Sequence, residues 1–152
     1  MAIESLWFGR PPKAAVLLGS FGLFPFLSLA VIAVVGPPAY GEDARDALAA
    51  YGAVILSFLG GAHWGYCIAG ARRGSQSSVI RLIVSVVPAV IGWAALLAPT
   101  TLSLYGLAGA LTAMLLVDIW SARSGWAPVW YPMLRWPLSA GAVSASLVAV
   151  AA

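Results

Sequence analysis

Two ionisable side chains lie inside long apolar stretches of the sequence, His63 and Asp118. Ionisable groups are costly to bury in such surroundings, so they indicate either a structural pair or a functional site. Asp118 can form an ion pair with Arg135, at the start of the next apolar stretch, or accept a hydrogen bond from His63. We favour this structural pairing. The alternative is a proton relay or substrate site in which carboxylate and imidazole exchange protons near neutral pH.

His63 could also take part in a metal or haem site. It precedes Cys67 by four residues, a spacing that places both side chains on one face of a helix. Such a pair can supply two metal ligands, and a single histidine can ligate haem. The sequence has one histidine and one cysteine, and Met114 and Met133 form no recognisable ligand motif. We expect no cofactor; haem or a metal at His63, with a partner supplying further ligands, is the alternative.

The sequence carries no signature of catalysis. We find no paired nucleophile and base, no set of metal ligands and no acidic motif of the kind that prenyltransferases use. We therefore expect that the protein is not an enzyme.

The amino-acid composition indicates the class of protein that holds these residues. Hydrophobic residues make up 62% of the 152 residues and charged residues 9%, whereas a soluble domain carries roughly a quarter charged residues. This balance excludes a soluble enzyme and a disordered chain, and the single cysteine excludes an internal disulfide framework. The net charge of +3 comes from bases scattered among apolar segments, so no nucleic-acid partner is expected.

A membrane-spanning helix needs about 20 mostly apolar residues. Five stretches meet this requirement and predict an all-α integral membrane bundle that forms a single domain over residues 1–152. Proline, glycine or charged residues separate the stretches. The five predicted spans are residues 13–35, 47–70, 79–98, 102–122 and 134–152.

The basic residues predict the orientation, because lysine and arginine gather in cytoplasmic loops. With the N-terminus in the cytoplasm and the C-terminus in the periplasm, all bases except one fall near the cytoplasmic ends of spans. The exception is Arg45, which lies among acidic residues in the opposite loop. The cytoplasmic set is Arg10, Lys13, Arg72, Arg73, Arg81, Arg123 and Arg135.

Small residues recur at every fourth position along the second predicted span. In lipid, small residues allow two helix backbones to approach closely, so they mark helix contacts. We expect this stripe to pack against a neighbouring helix or against another subunit. Its members are Ala53, Ser57, Gly61, Gly65 and Ala69.

Most of the seven tryptophans cluster near the predicted cytoplasmic ends of the spans, which is typical of an aromatic belt at the membrane interface. Trp64 and Trp93 differ, because both fall within spans. Together with His63 they could line an aromatic cavity for a flat hydrophobic ligand.

The second span resembles the transmembrane protein 69 family, a multi-span family of unknown function. The run from Tyr51 to Gly65, YGAVILSFLGGAHWG, is the most specific part. Matching features elsewhere are Leu18-Gly19, Pro25-Phe26, Pro88, Gly92-Trp93, Asp118, Ala127 to Tyr131 and Leu134-Arg135. The resemblance implies a small protein of the bacterial inner membrane. The site residues that it implies are His63, Trp64, Asp118, Trp130, Tyr131 and Arg135.

Two functions follow from these features. The first is a non-enzymatic accessory or assembly subunit that contacts the lipid bilayer and a protein partner, or a second copy of itself. It rests on the small-residue stripe, the scarcity of sequence outside the spans, and the range from bacteria to mitochondria that the resemblance implies. The alternative is a binding or transport protein for a small hydrophobic ligand or proton-coupled substrate, with a cavity around His63, Trp64, Trp93 and Asp118.

Overall fold

The computed structural model describes residues 9–71 and 79–151, and these ranges contain five α-helices and no β-strand. Four of the helices are long and apolar enough to cross a membrane, and one is a shorter apolar helix. The helical membrane-type bundle is therefore confirmed. The helices are α1 (Lys13–Val35), α2 (Pro38–Ala71), α3 (Val79–Ala95), α4 (Thr100–Arg123) and α5 (Tyr131–Ala151).

Helix α2 is the centre of the bundle, since it packs against each of the other four helices. It has 34 residues, which at 1.5 Å per residue gives a length of roughly 50 Å. It starts directly after Gly36-Pro37, nine residues before the expected start at residue 47, because the helix continues through the polar segment that holds Glu42, Asp43 and Asp46. The remaining contacts pair α1 with α5, α3 with α4, and α4 with α5.

Helix α3 is shorter than the predicted span of residues 79–98. It ends at Ala95 after 17 residues. The next three residues form a tighter turn, in which the amides of Leu96, Leu97 and Ala98 donate to the carbonyls three residues before them. Pro99 then lies directly before α4. Helix α3 ends before this point because Pro99 disfavours helical conformation in the residue before it, Ala98.

Helices α2 and α3 approach each other closely at two glycines. A Cβ atom added at Gly60 would lie 2.5 Å from the carbonyl oxygen of Ser85, and one at Gly92 would lie 3.0 Å from the carbonyl oxygen of Ala53. Glycine is needed at both positions because the neighbouring atoms belong to a backbone that cannot rotate away. Ala53, one member of the predicted stripe, thus packs inside the chain.

The two glycines of the predicted stripe face outward. Gly61 and Gly65 are exposed, and a Cβ atom at either glycine would meet nothing within 4 Å. Ser57 donates a hydrogen bond to the carbonyl of Ala53 in its own helix, and Ala69 is half-buried. The close internal contact uses Gly60, one residue away from the predicted register. Gly61 and Gly65 therefore make no close helix contact within the described chain.

Polar residues join the helices at the end of the bundle where α1 and α5 terminate. Arg45 of α2 donates from Nε to the carbonyl of Ala149 (2.7 Å) and from Nη2 to the carbonyl of Ala33 (3.5 Å). The guanidinium thereby binds carbonyls in the last turns of two helices, where a cation also complements the helix dipoles. Asp46 accepts a hydrogen bond from Thr100 at the start of α4. These contacts explain why α2 extends past its apolar stretch.

Two of the basic residues that predict the orientation, Arg72 and Arg73, lie outside the described residues. The assignment of the N-terminus to the cytoplasm stays a prediction.

Candidate functional site

Three buried side chains from three helices contact one another, with Asp118 between the other two. His63 of α2 lies with Nε2 2.8 Å from Oδ1 of Asp118, and Arg135 of α5 donates from Nε to Oδ2 at 2.9 Å. Asp118, on α4, is fully buried, and His63 and Arg135 are 4% and 6% exposed. Both contacts expected for Asp118 are therefore present at once, one on each carboxylate oxygen. We call His63, Asp118 and Arg135 the polar cluster.

The loop between α4 and α5 makes the polar cluster possible. Gly125 has a φ of +72°, a left-handed conformation that favours glycine. After this turn, the amides of Trp126 and Ala127 both donate to the carbonyl of Ser121. The chain reverses tightly, so that Asp118 near the end of α4 faces Arg135 in the first turns of α5.

The contacts of the polar cluster constrain its hydrogen-bond roles. A guanidinium can only donate, so Oδ2 of Asp118 accepts from Nε of Arg135. Oδ1 accepts from Nε2 of His63 in the tautomer that carries the hydrogen there. The Asp118–Arg135 pair brings opposite charges together, which offsets the cost of burying either one alone within a membrane-type bundle.

Aromatic rings pack beside the polar cluster. The ring of Tyr66 lies edge-on to His63 at 5.6 Å and edge-on to Tyr131 at 5.7 Å, measured between centroids. Tyr131 in turn contacts Trp130 at 6.0 Å. Edge-to-face pairs of this kind stabilise ring packing, and they connect His63 to the start of α5.

A small void of about 10 Å³ lies beside His63 and Tyr66. It is bordered by Cys67 and Arg81, and the guanidinium carbon of Arg81 stands 4.1 Å from the ring centroid of Trp126. His63 and Cys67 thus share a face, as their spacing predicts. Within residues 9–71 and 79–151, no group of three or more His, Cys, Asp or Glu could hold a metal ion.

A much larger groove of about 420 Å³ lies between α1, α2, α4 and α5. Its walls are mostly hydrocarbon, contributed chiefly by α1 and α5. Four residues that carry polar groups border the groove around the start of α5: Trp130, Tyr131, Arg135 and Ser139. The polar cluster therefore reaches the groove through Arg135, while His63 and Asp118 lie behind the wall.

The structure does not bring Trp64 and Trp93 to the polar cluster. Their side chains are 46% and 63% exposed, and neither lines the groove. The prediction of an aromatic cavity around His63 and these two tryptophans is therefore wrong, because both tryptophan rings face outward. Trp130 and Tyr131, which the resemblance implicates, supply the aromatic side of the groove instead.

Two site residues were missed by sequence reasoning, Tyr66 and Ser139. Each lies one helical turn after a predicted residue, Tyr66 three positions after His63 and Ser139 four positions after Arg135. Residues with this spacing share a helix face, so both could have been predicted from the helical repeat.

The comparisons with known proteins agree with the resemblance. A family model described as a protein of unknown function (DUF3429) matches residues 11–152. A protein named Transmembrane protein 69 from Xenopus tropicalis is 44% identical over 86 residues, which is 57% of this chain. That match covers 33% of the relative's own length. No solved structure matches the chain significantly. The chain belongs to the DUF3429 family of proteins of unknown function, as a relative of transmembrane protein 69.

Proposed function

We propose that this chain is a non-enzymatic membrane protein that binds a small hydrophobic ligand in the groove between α1 and α5. One observation carries the proposal: a groove of about 420 Å³, within the size range of ligand sites, has mostly apolar walls, with the few residues that carry polar groups gathered around the start of α5. Binding is favoured over catalysis because the ionisable groups of the polar cluster are engaged with one another.

The proposed location is the bacterial inner membrane, with the polar cluster toward the cytoplasmic side. Four apolar helices of membrane-spanning length support a membrane location. The bases near span ends support the orientation.

A groove-filling substitution tests the proposed function. Gly22 lines the groove, and a Cβ atom there would approach only the Tyr51 hydroxyl, at 3.9 Å. The Cβ atom added by Gly22→Leu therefore meets no clash, and the larger side chain takes up space at the groove wall that a ligand would need. We expect organic extracts of the purified wild-type protein to contain a stoichiometric hydrophobic molecule, measured by mass spectrometry, and those of Gly22→Leu to have lost most of it.

The matched control is Gly109→Leu. Gly109 is a helical glycine of α4 with nothing within 4 Å of an added Cβ, and it does not line the groove. This variant should retain the molecule at the wild-type level. Equal extracts from all three proteins would contradict binding in the groove.

The second candidate is an accessory or assembly subunit of a larger membrane complex, or a self-associating protein. The outward-facing Gly61 and Gly65 favour it, because they leave a shallow notch on α2 where the backbone of another helix could approach. Purification in a mild detergent should then yield a defined partner or a homo-oligomer, and Gly61→Leu should release it. A wild-type protein that elutes as a clean monomer would count against this role.

A further inference from the structure

The groove follows α1 and α5 over roughly the first half of each helix. On α1 its lining runs from Ala15 to Phe26, and on α5 from Tyr131 to Ala142, with eleven residues from start to end in both cases. At roughly 1.5 Å per residue, each stretch is about 17 Å long. One leaflet of the hydrocarbon core measures about 15 Å, half of the usual thickness. The groove therefore has about the length of one leaflet.

Helices α1 and α5 run parallel to each other along the groove. A Cβ atom added at Gly19 would lie 2.8 Å from Cδ1 of Leu138, and further along both helices a Cβ atom added at Gly141 would lie 2.8 Å from Cδ2 of Leu23. Both helices therefore start at the same end of the bundle, opposite to the end where Arg45 binds their last turns.

The exposed charged side chains at this end are all basic in the part of the chain that the structure describes. Arg10 precedes α1, Lys13 is the first residue of α1, and Arg123 is the last residue of α4. The acid nearest to them along the helices, Asp118, is buried against Arg135. The exposed acids lie in the first turns of α2, at the opposite end. We call the end that holds Arg10, Lys13 and Arg123 the basic end, and an anionic group is electrostatically favoured there.

We propose that the groove holds an acyl chain of an anionic phospholipid, with the headgroup at the basic end beside Arg10 and Lys13. This inference rests on the proposed function and names the class of ligand. The mostly apolar wall suits a hydrocarbon chain, and the length of the groove suits a chain that belongs to one leaflet. Ala15, where the groove begins on α1, is two residues from Lys13. The flexible stem of a lysine can carry its charge to a phosphate at this end of the groove.

The groove is open to the bilayer, and aromatic rings mark its headgroup end. Leu18 and Phe58 line the groove and are each 69% exposed. In a membrane that surface contacts acyl chains, so a chain can enter the groove from the side. Trp130 and Tyr131 border the groove at the start of α5. Because tryptophan and tyrosine are enriched at the level of the headgroups, they support placing this end of the groove at the membrane interface.

Titration of the full chain with two phospholipids tests the headgroup. Dioleoyl phosphatidylglycerol is anionic and dioleoyl phosphatidylcholine carries no net charge, while their acyl chains are identical. Each is added to the protein in a neutral maltoside detergent, and bound lipid is counted by native mass spectrometry. We expect phosphatidylglycerol to bind at least about fivefold more tightly than phosphatidylcholine, the effect of one basic side chain near a lipid surface. Glycerol phosphate, which has the phosphate but no acyl chain, should not bind measurably.

Substitutions at the basic end locate the headgroup. Lys13→Gln and Arg10→Gln should each weaken phosphatidylglycerol binding by about fivefold and leave phosphatidylcholine binding unchanged, because each removes one charge. The matched control is Arg123→Gln, which removes an exposed charge at the same end from α4, a helix that contributes only Leu111 to the groove. This variant should change phosphatidylglycerol binding by less than about twofold, because salt screens charges that do not contact the headgroup.

The outcomes separate the headgroup from the proposed function. If both lipids bind equally, or if neither Lys13→Gln nor Arg10→Gln weakens phosphatidylglycerol binding, the headgroup inference is overturned, although the groove still binds acyl chains. If Arg123→Gln has the same effect as Lys13→Gln, the attraction belongs to the whole basic end, and a headgroup site beside the groove is overturned. If Gly22→Leu binds both lipids as tightly as the wild type does, the groove is not the site and the proposed function itself fails.

Discussion

Asp118→Asn should destabilise the chain by about 3–5 kcal/mol, as expected when one partner of a buried ion pair is removed. The substitution keeps the size of the side chain but leaves the charge of Arg135 buried without a counter-charge. It also replaces an acceptor that holds His63 and Arg135 on its two oxygens. The free energy of unfolding, measured by denaturant titration in mixed micelles, checks the prediction.

Two further variants separate the ion pair from general damage. Arg135→Gln should be similarly destabilising alone, whereas the double variant with Asp118→Asn should cost less than the sum of the two, because no unpaired charge remains. Asp43→Asn makes the same chemical change on an exposed turn of α2 and should change stability by less than about 0.5 kcal/mol. Equal stabilities of Asp118→Asn and Asp43→Asn would contradict the role of the polar cluster.

Gly60→Ala should destabilise the crossing of α2 and α3 by about 1–3 kcal/mol, the usual cost of overpacking. The added methyl group would lie 2.5 Å from the Ser85 carbonyl oxygen and 3.4 Å from the ring of Pro88. Neither neighbour is the end of a flexible side chain, so the helices themselves must shift. Thermal unfolding of the purified protein in detergent measures the effect.

The adjacent glycine provides the control. Gly61→Ala adds the same methyl group where nothing lies within 4 Å, so it should leave stability unchanged or raise it by about 0.5–1 kcal/mol through helix propensity. A larger loss at Gly61 than at Gly60 would show that the packing register of α2 is wrong.

The helices and the three residues of the polar cluster could be predicted from the sequence. Long apolar stretches predict the helices, because the hydrocarbon thickness sets their length. Asp118, His63 and Arg135 could be linked because ionisable groups in apolar surroundings are few and must find partners. Both predicted contacts of Asp118 are present in the structure.

The faces of the helices were harder to predict. In a lipid-exposed bundle the outer and inner faces of a helix are both apolar, so hydrophobic periodicity does not show which face is buried. This explains why the small-residue stripe was predicted one residue out of register: Gly60, and not Gly61, makes the close contact. It also explains the outward direction of Trp64 and Trp93. The groove depends on the packing of four helices, which no local pattern encodes.

Nuclear Overhauser contacts between methyl palmitate, used as a hydrophobic probe, and the isotope-labelled chain in detergent test most directly whether the groove binds a hydrophobic ligand. We expect contacts from the acyl chain of the ester to the methyl groups of Leu23 and Leu138, which line the groove. Contacts confined to exposed side chains such as Val31 and Val148, with none inside the groove, would contradict binding there.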